Sequence, residues 1–238
     1  MFKQFTLAAL FTLGLSTSIA GQTGKLTETE RAVARLGDLS SDALRIRLNE
    51  MRQPAYQPGP VLLNEIIKRL QLTVVTGERV ERLKAALQTV LAYHERDGKL
   101  PIYVVRSEQP KAFVVMSAAL IITTKLMLIT NEAELRGLVA HELAHEYLSE
   151  ECKQASKSGD EGRLREIELF CDAVAALTLN EIGDDPACYA LALKRMTYIG
   201  ITAGSATRSE TKTHPSLDER VKLNQWLCQR LARTKAMD

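Results

Sequence analysis

The sequence predicts an α+β fold that is mostly α, with a small sheet of about three strands. Two observations predict it: apolar residues recur every three or four places over much of the chain, and three short β-branched segments interrupt that period near its middle. The composition, 45% hydrophobic and 25% charged over 238 residues, is that of a globular domain able to bury one substantial core. A formal net charge of +2, without a basic stripe, argues against nucleic acid as a partner.

The first twenty residues, MFKQFTLAALFTLGLSTSIA, have the layout of a signal peptide. Lys3 precedes an apolar run, and the small residues Ser18 and Ala20 stand three and one places before Gly21. The apolar run falls short of the roughly 20 residues that span a bilayer, which argues against an uncleaved membrane anchor. We therefore expect residues 1–20 to be removed on export and the mature chain to lie in the periplasm, with secretion or attachment to the envelope as alternatives.

The rest of the chain is predicted to divide into an N-terminal arm and one domain, residues 61–238. Residues 21–60 are expected to form an arm with an accessory helix and a linker, since they end at RQPAYQPGP, where three prolines and a glycine favour a loop. Between Val61 and Lys99, apolar residues at helical spacing predict two amphipathic helices. The segments PIYVVRS, AFVVMS and ALIITT then predict three strands, because they are short, β-branched and separated by polar turns.

Helical periodicity returns after the strands and holds to the end of the chain. Asn131 and Glu134 have the spacing of a capping box at the start of the first of these helices, and Ser216 and Glu219 have it at the start of the last. The predicted helices cover residues 132–155, 161–182, 186–200 and 216–234.

Four cysteines lie in the second half of the chain, at Cys152, Cys171, Cys188 and Cys228. Their even number and the predicted export would allow two disulfides, in any of three pairings. Buried free thiols explain them equally well, and the sequence leaves the choice open.

The segment GLVAHELAHEYL places two histidines and two glutamates in an otherwise apolar helix. His141 and His145 are four residues apart, so both imidazoles point to one side of the helix, one turn apart. Unpaired buried imidazole and carboxylate groups cost on the order of several kcal/mol, and a metal ion removes that cost. With Glu142 beside the first histidine, this is the H-E-x-x-H pattern, in which the histidines bind zinc and the glutamate is the general base toward water.

A zinc site of this kind needs a third protein ligand, for which the segment REIELFCDAVAALTL offers the best candidates. Glu168 and Asp172 are again four residues apart in an apolar helix. We expect Glu168 to bind the metal, and Asp172 to accept a hydrogen bond that orients a ligand imidazole. The alternatives are Glu161 or Glu166 as the ligand, and an ion pair of Asp172 with Arg165 or Lys194.

These motifs, in this order, resemble those of the HtpX and CAAX prenyl endopeptidase family of zinc metallopeptidases, and within it the small soluble envelope members of the BepA and Oma types. The resemblance covers about half of the chain, from Pro101 to Leu223. It rests on four segments, KAFVVMSAALIITTKLM, ELRGLVAHELAHEYL, ELFCDAVAAL and THPSLDERVKLN. It implies a zincin-like domain in which the small sheet packs on the H-E-x-x-H helix, with one zinc ion per chain.

The resemblance also assigns roles to single residues. It implies that Glu168 is the third zinc ligand, and that His214 lies by the active site in contact with the metal, the substrate or the transition-state oxyanion. Arg220 in the same segment is expected to be structural. The departures from the family's pattern are Lys111 and VMSAA in the strand segment and Cys171 before Asp172. Since relatives hold a peptide at that strand, the first two departures bear on substrate preference rather than on the metal.

Residues and resemblance together predict a zinc-dependent endopeptidase of the cell envelope that cleaves unfolded or misassembled proteins. Glu142 is expected to take a proton from water and return it to the leaving amine, and His214 or Tyr147 to stabilise the oxyanion. The expected partners are protein or peptide substrates bound as an added strand at the sheet edge, while contact with a membrane stays open. One alternative is an envelope chaperone that keeps the zinc site but rarely cleaves, with His214 at the open coordination position; another is a structural zinc domain.

Overall fold

A computed structural model of the chain describes residues 27–36, 48, 50, 65, 67–69, 71–115, 118–202 and 212–235. The predicted signal peptide, the proline-rich linker and most of the predicted arm lie outside these residues, as does most of the helix predicted to follow Val61. Within the described part of the chain, no helix combines the length and apolar character that crossing a membrane requires.

The described residues form an α+β fold that is mostly helical, as the periodicity predicts. In chain order the elements are α1 (Glu28–Leu36), β1 (Val74–Val75), α2 (Glu78–Tyr93), β2 (Ile102–Val105), β3 (Ala112–Val115), β4 (Ala119–Thr123), α3 (Thr124–Ile129), α4 (Glu132–Tyr147), α5 (Ser149–Ser158), α6 (Glu161–Glu181), α7 (Ala187–Thr202) and α8 (Leu217–Lys235).

The sheet has four strands in the order β1, β2, β4, β3. The inner pair, β2 and β4, is parallel, and the two outer strands run antiparallel to their neighbours. The three predicted strands are present, and β1 is the one that the sequence analysis missed. It is only two residues long, Val74–Val75, which is too short to show an alternating pattern. Strand β4 is buried along its whole length, while β3 is a half-buried edge strand.

The helix predicted over residues 132–155 is two helices, α4 and α5, which meet at Leu148. The predicted capping box is present at its start: the Asn131 side chain accepts a hydrogen bond from the Glu134 amide at 2.8 Å, and the Glu134 carboxylate accepts one from the Asn131 amide at 3.0 Å. At Leu148 the backbone leaves the helical region, with φ −111° and ψ 16°. Since the Leu148 side chain is buried, the apolar pattern continues across the break and hides it from sequence analysis.

Helices α4 and α6 pack against each other at the centre of the fold, and α7 packs on α4. Gly137 permits a close approach there, because a Cβ at this position would lie 3.0 Å from Cδ1 of Leu179 and 3.2 Å from Cβ of Tyr189. The absence of a side chain at Gly137 therefore brings α7, and Tyr189 with it, against the helix that carries the two histidines.

Candidate metal centre

The two histidines of α4 face each other across one helical turn. Nε2 of His141 lies 3.2 Å from Nε2 of His145. His141 is buried, and His145 is half-buried at the edge of a cleft. Both nitrogens therefore point at the same volume, as the four-residue spacing predicts.

Glu168 approaches both imidazoles from the facing helix α6. Its Oε2 atom lies 3.6 Å from Nε2 of His141, and its Oε1 atom lies 3.5 Å from Nε2 of His145. One ligand atom from each of the three residues lies within 4.8 Å of the other two. In tetrahedral zinc sites with bonds of about 2.0–2.2 Å, ligand atoms are about 3.3–3.6 Å apart, so the separations here are close to those of three ligands around one metal ion.

The other two carboxylates proposed as the third ligand are engaged elsewhere. Glu166 is buried among arginines, with Arg163 Nη1 at 2.6 Å and Arg31 Nε at 3.3 Å. Glu161 lies 3.7 Å from the Lys212 ammonium. Among the described residues, both histidines and Glu168 form the one group of three or more His, Cys, Asp or Glu side chains that could hold a metal ion.

Asp172 lies behind His141, in the position expected for a residue that orients a ligand. Its Oδ1 atom is 3.0 Å from Nδ1 of His141. Arg220 donates to both of its oxygens, from Nε at 2.8 Å and from Nη2 at 2.6 Å. The ion pair proposed with Arg165 or Lys194 is therefore replaced by one with Arg220. A carboxylate at Nδ1 favours the imidazole form that offers Nε2 to a metal.

Tyr189 on α7 completes this network, and sequence analysis did not identify it. Its hydroxyl donates to Oδ1 of Asp172, accepts from Nη2 of Arg220 at 2.8 Å and lies 2.9 Å from Nδ1 of His141. Tyr189 is fully buried in an apolar helix. One sequence gives no spacing that links it to the metal motifs, so it resembles an ordinary core tyrosine until α7 is placed.

Burial and charge set the protonation states on the inner side of the site. Burial raises the pKa of the Asp172 carboxyl, but the ion pair with Arg220 outweighs it and leaves that pKa well below its usual range. Burial likewise lowers the pKa of His141, and the hydrogen bond and charge of Asp172 raise it above the ordinary value. The Asp172 carboxylate thus remains charged, with its charge compensated inside the protein.

On the outer side of the site, burial dominates. It lowers the pKa of His145 to about 4, so that this imidazole is neutral at neutral pH and has a lone pair to offer. It raises the pKa of Glu142 to about 7, where a carboxylate exchanges protons most readily near neutrality. These are the states required of a ligand and of a general base.

A cleft of about 560 Å³ opens beside Glu142 and His145. Its lining follows one face of α4 and α5 and includes a residue of the edge strand β3: Val114, Glu142, His145, Glu146, Ser149, Cys152 and Lys153. The proposed general base and one of the two candidate ligand imidazoles are therefore accessible from an open groove beside a sheet edge.

Of the two residues expected to stabilise an oxyanion, one lies at the site and the other lies away from it. Nε2 of His214 lies 3.5 Å from Oε1 of Glu168, so His214 is at the site, with 55% of its side chain exposed. The Tyr147 hydroxyl instead lies 2.7 Å from Nδ1 of His94 in the core, on nearly the opposite side of α4 from His145. We therefore keep His214 as the candidate and set Tyr147 aside.

All four cysteines are free thiols, so of the two alternatives that the sequence left open, free thiols are present and disulfides are not. Cys171 is fully buried beside Asp172, and burial holds the pKa of its thiol far above the ordinary value. An inert thiol at this position suits a core residue rather than a nucleophile.

Residues 77–162 match the model of peptidase family M48. The matched segment runs from the start of α2 through strands β2, β3 and β4 and the H-E-x-x-H helix to the start of α6, and it ends before Glu168. No curated protein matches the chain. At a coarse level, this segment is therefore similar to the peptidases of family M48, and the three clustered ligand atoms are consistent with a metallopeptidase.

Proposed function

We propose that the chain is a zinc-dependent endopeptidase of the cell envelope that cleaves unfolded or misassembled proteins. The observation that carries the proposal is the location of Glu142: a carboxylate with a pKa raised by burial to about 7 lies between a three-ligand cluster and an open cleft. The resemblance to the HtpX and CAAX prenyl endopeptidase family supports the finer assignment.

His141, His145 and Glu168 would hold the zinc ion, and Glu142 would carry the proton. Bound zinc supplies Lewis acidity, which polarises a peptide carbonyl and makes water more acidic. Glu142 takes the proton of the attacking water and delivers it to the leaving amine, a transfer that its raised pKa favours near neutral pH. His214, beside Glu168 and exposed to solvent, is placed to donate to the oxyanion.

The shape of the cleft supports an extended peptide as the substrate. Val114 on the edge strand β3 and Glu142 on α4 line the same groove. An edge strand has unpaired backbone groups on one side, so a peptide laid beside β3 could pair with it and present its backbone to Glu142. Unfolded segments meet this requirement, because their backbones are free to become extended.

An envelope chaperone or assembly factor is the second candidate. The observation in its favour is the 3.5 Å separation between Nε2 of His214 and Oε1 of Glu168, which would allow His214 to occupy the open coordination position. The protein would then hold its clients in the groove and rarely cleave them.

Export to the periplasm is part of the proposal and rests on residues 1–20. Fractionation of cells that produce the full chain would test it. Recovery of a shortened chain in the envelope fraction is expected, and a full-length chain in the cytoplasm would contradict it.

Digestion of casein by the purified mature chain tests the activity. We expect wild type to cleave, and a zinc chelator or Glu142→Gln to abolish cleavage, with a loss of about 10²–10⁴-fold in kcat for the variant. Glu142→Gln should retain bound zinc. Glu132→Gln is the matched control, because Glu132 lies on the same helix and its side chain is 73% exposed. Zinc binding without cleavage, in a wild type that still suppresses aggregation, would favour the chaperone.

A further inference from the structure

Arg165 on α6 joins three segments of the chain through one guanidinium group. Its Nε donates to Oε2 of Glu28 on α1 at 2.7 Å, and its Nη1 donates to the backbone oxygen of His214 at 3.0 Å. Its Nη2 lies 3.0 Å from each carboxylate oxygen of Glu219 on α8. All of the guanidinium nitrogens are therefore used in holding other parts of the protein.

Arg165 precedes Glu168 by three residues, so the two side chains lie on the same face of α6, one turn apart. This geometry places the backbone anchor of His214 one turn from the carboxylate that the His214 imidazole approaches. More than half of that imidazole is exposed, so its side chain is held little by packing. Its Nδ1 atom lies 3.0 Å from Oγ1 of the neighbouring Thr213, and the backbone anchor ties this exposed segment to α6.

The capping box of α8 holds the far end of the same segment. Ser216 Oγ donates to Oε2 of Glu219 at 2.8 Å, and the Ser216 amide donates to the same oxygen at 2.9 Å. Because Glu219 is also a partner of Arg165, the cap and the anchor act on one carboxylate.

Helix α1 is docked firmly enough to contribute to this anchor. Ala32 is fully buried against the core, and the Arg35 guanidinium lies 5.3 Å from the centre of the Phe170 ring. Arg35 also pairs with Glu151 at 2.8 Å. These contacts place Glu28, in the first turn of α1, beside Arg165.

We propose that Arg165 is the positioning residue for His214, and that helix α1, through Glu28, is part of the assembly that holds His214 beside Glu168. The inference rests on the proposed peptidase function for its kinetic consequence, but the location of His214 can be tested without it. It gives α1, which lies outside the segment that matches the peptidase family, a part in building the active site.

The kinetic test is a double-mutant cycle. His214→Ala is expected to lower kcat about 100-fold, and Arg165→Gln about 10-fold through misplacement of His214, with little change in KM. In the His214→Ala background, Arg165→Gln should have almost no further effect, because two residues that act through one group are not additive. An equal loss from Arg165→Gln in both backgrounds would overturn the proposal.

Matched controls separate this role from general loss of structure. Arg163→Gln removes a neighbouring arginine whose partners are Glu151 and Glu166 rather than His214, so it should leave kcat within about two-fold. Glu28→Gln should lower kcat about three-fold, whereas Glu30→Gln, on the same helix but hydrogen-bonded to Thr27, should not. Equal effects of the Glu28 and Glu30 variants would contradict the part assigned to α1.

Histidine NMR gives a test that does not need activity. The chain has four histidines, so His214→Ala is enough to assign the imidazole signals of His214. On addition of zinc to the wild-type protein these signals should shift, and in Arg165→Gln the shift should fall by at least about half. Equal shifts in both proteins would overturn the proposal even if no substrate were cleaved. Glu28→Gln serves in the same way if Arg165→Gln does not fold.

Discussion

Glu168 and Asp172 lie one turn apart on α6 and carry the same chemical group, yet they serve opposite sides of the site. Asp172 is 1% exposed, and arginine, tyrosine and histidine bind it at hydrogen-bonding distance. Glu168 is 12% exposed and faces three imidazole nitrogens at 3.5–3.6 Å, which is long for hydrogen bonds and suits ligands around an ion. The inner carboxylate is satisfied by the protein, and the outer one belongs to a cluster that could hold a metal ion.

The two carboxylates therefore divide stability and function between them. Loss of the inner group should be felt first in folding, and loss of the outer group first in zinc binding. Four changes test these expectations.

Asp172→Ala should lower the free energy of unfolding of the zinc-free protein by about 3–5 kcal/mol, because Arg220 would keep its buried charge without a partner. It should also weaken zinc binding about 10–100-fold through the loss of orientation at His141. Denaturant unfolding and a zinc competition assay measure the two effects. Asp184→Ala is the control, since Asp184 pairs with Arg136 in the same bidentate way outside the site; its variant should keep full zinc affinity.

Glu168→Ala should give the opposite pattern: at least about 100-fold weaker zinc binding, or roughly 3 kcal/mol, with the stability of the zinc-free protein changed by less than about 1 kcal/mol. Metal analysis after dialysis against a zinc buffer measures it. Glu166→Ala, two residues away and inside the arginine cluster, should retain zinc. Equal zinc content in wild type and the Glu168 variant would remove that residue from the ligand set.

Tyr189→Phe should keep the packing of the ring and lose the hydroxyl that links Asp172, Arg220 and His141. We expect a loss of about 1–2 kcal/mol in stability and a loss of up to about 10-fold in zinc affinity. Tyr103→Phe, on strand β2 and away from the network, controls for removal of a tyrosine hydroxyl. A variant with wild-type stability and affinity would show that the network works without the phenol.

Glu142 predicts a pH dependence of stability in the zinc-free protein. Since its pKa is raised from 4.5 to about 7, the folded state binds the proton more tightly than the unfolded state does. Stability from this group therefore falls as pH rises from about 4.5 to about 7. Glu142→Gln removes the fall, so the variant should gain steadily on wild type over that pH window. Parallel pH profiles of the two proteins would contradict the raised pKa.

The fold was largely predictable where periodicity or capping chemistry is strong. Asn131 and Ser216 mark the starts of helices by a local rule, and the β-branched segments mark the three longer strands. Strand β1 and the break at Leu148 were not predictable, because one is too short for a pattern and the other depends on what the buried leucine packs against.

The residues of the site likewise fall into those that the sequence predicts and those that it does not. His141, Glu142 and His145 follow from spacing within one helix, and the same spacing pointed to Glu168 and Asp172. The partners of Asp172 were not predictable, because Tyr189 and Arg220 reach it from two other helices, 17 and 48 residues along the chain. Side chains that meet only after helices pack leave no local mark in a single sequence.

Gly137 links the packing of the helices to the geometry of the site. It lies one turn before His141, and its Cα hydrogen faces Tyr189, so the interhelical spacing is set where the chain has no side chain. A methyl group there would displace Leu179 or Tyr189 by a few tenths of an ångström, and a shift of Tyr189 would carry its hydroxyl, which contacts Asp172, with it. The distance of α4 from α6 and α7 thus affects the geometry of the candidate metal centre. Small apolar substitutions where these helices meet offer a way to change metal affinity without changing a ligand.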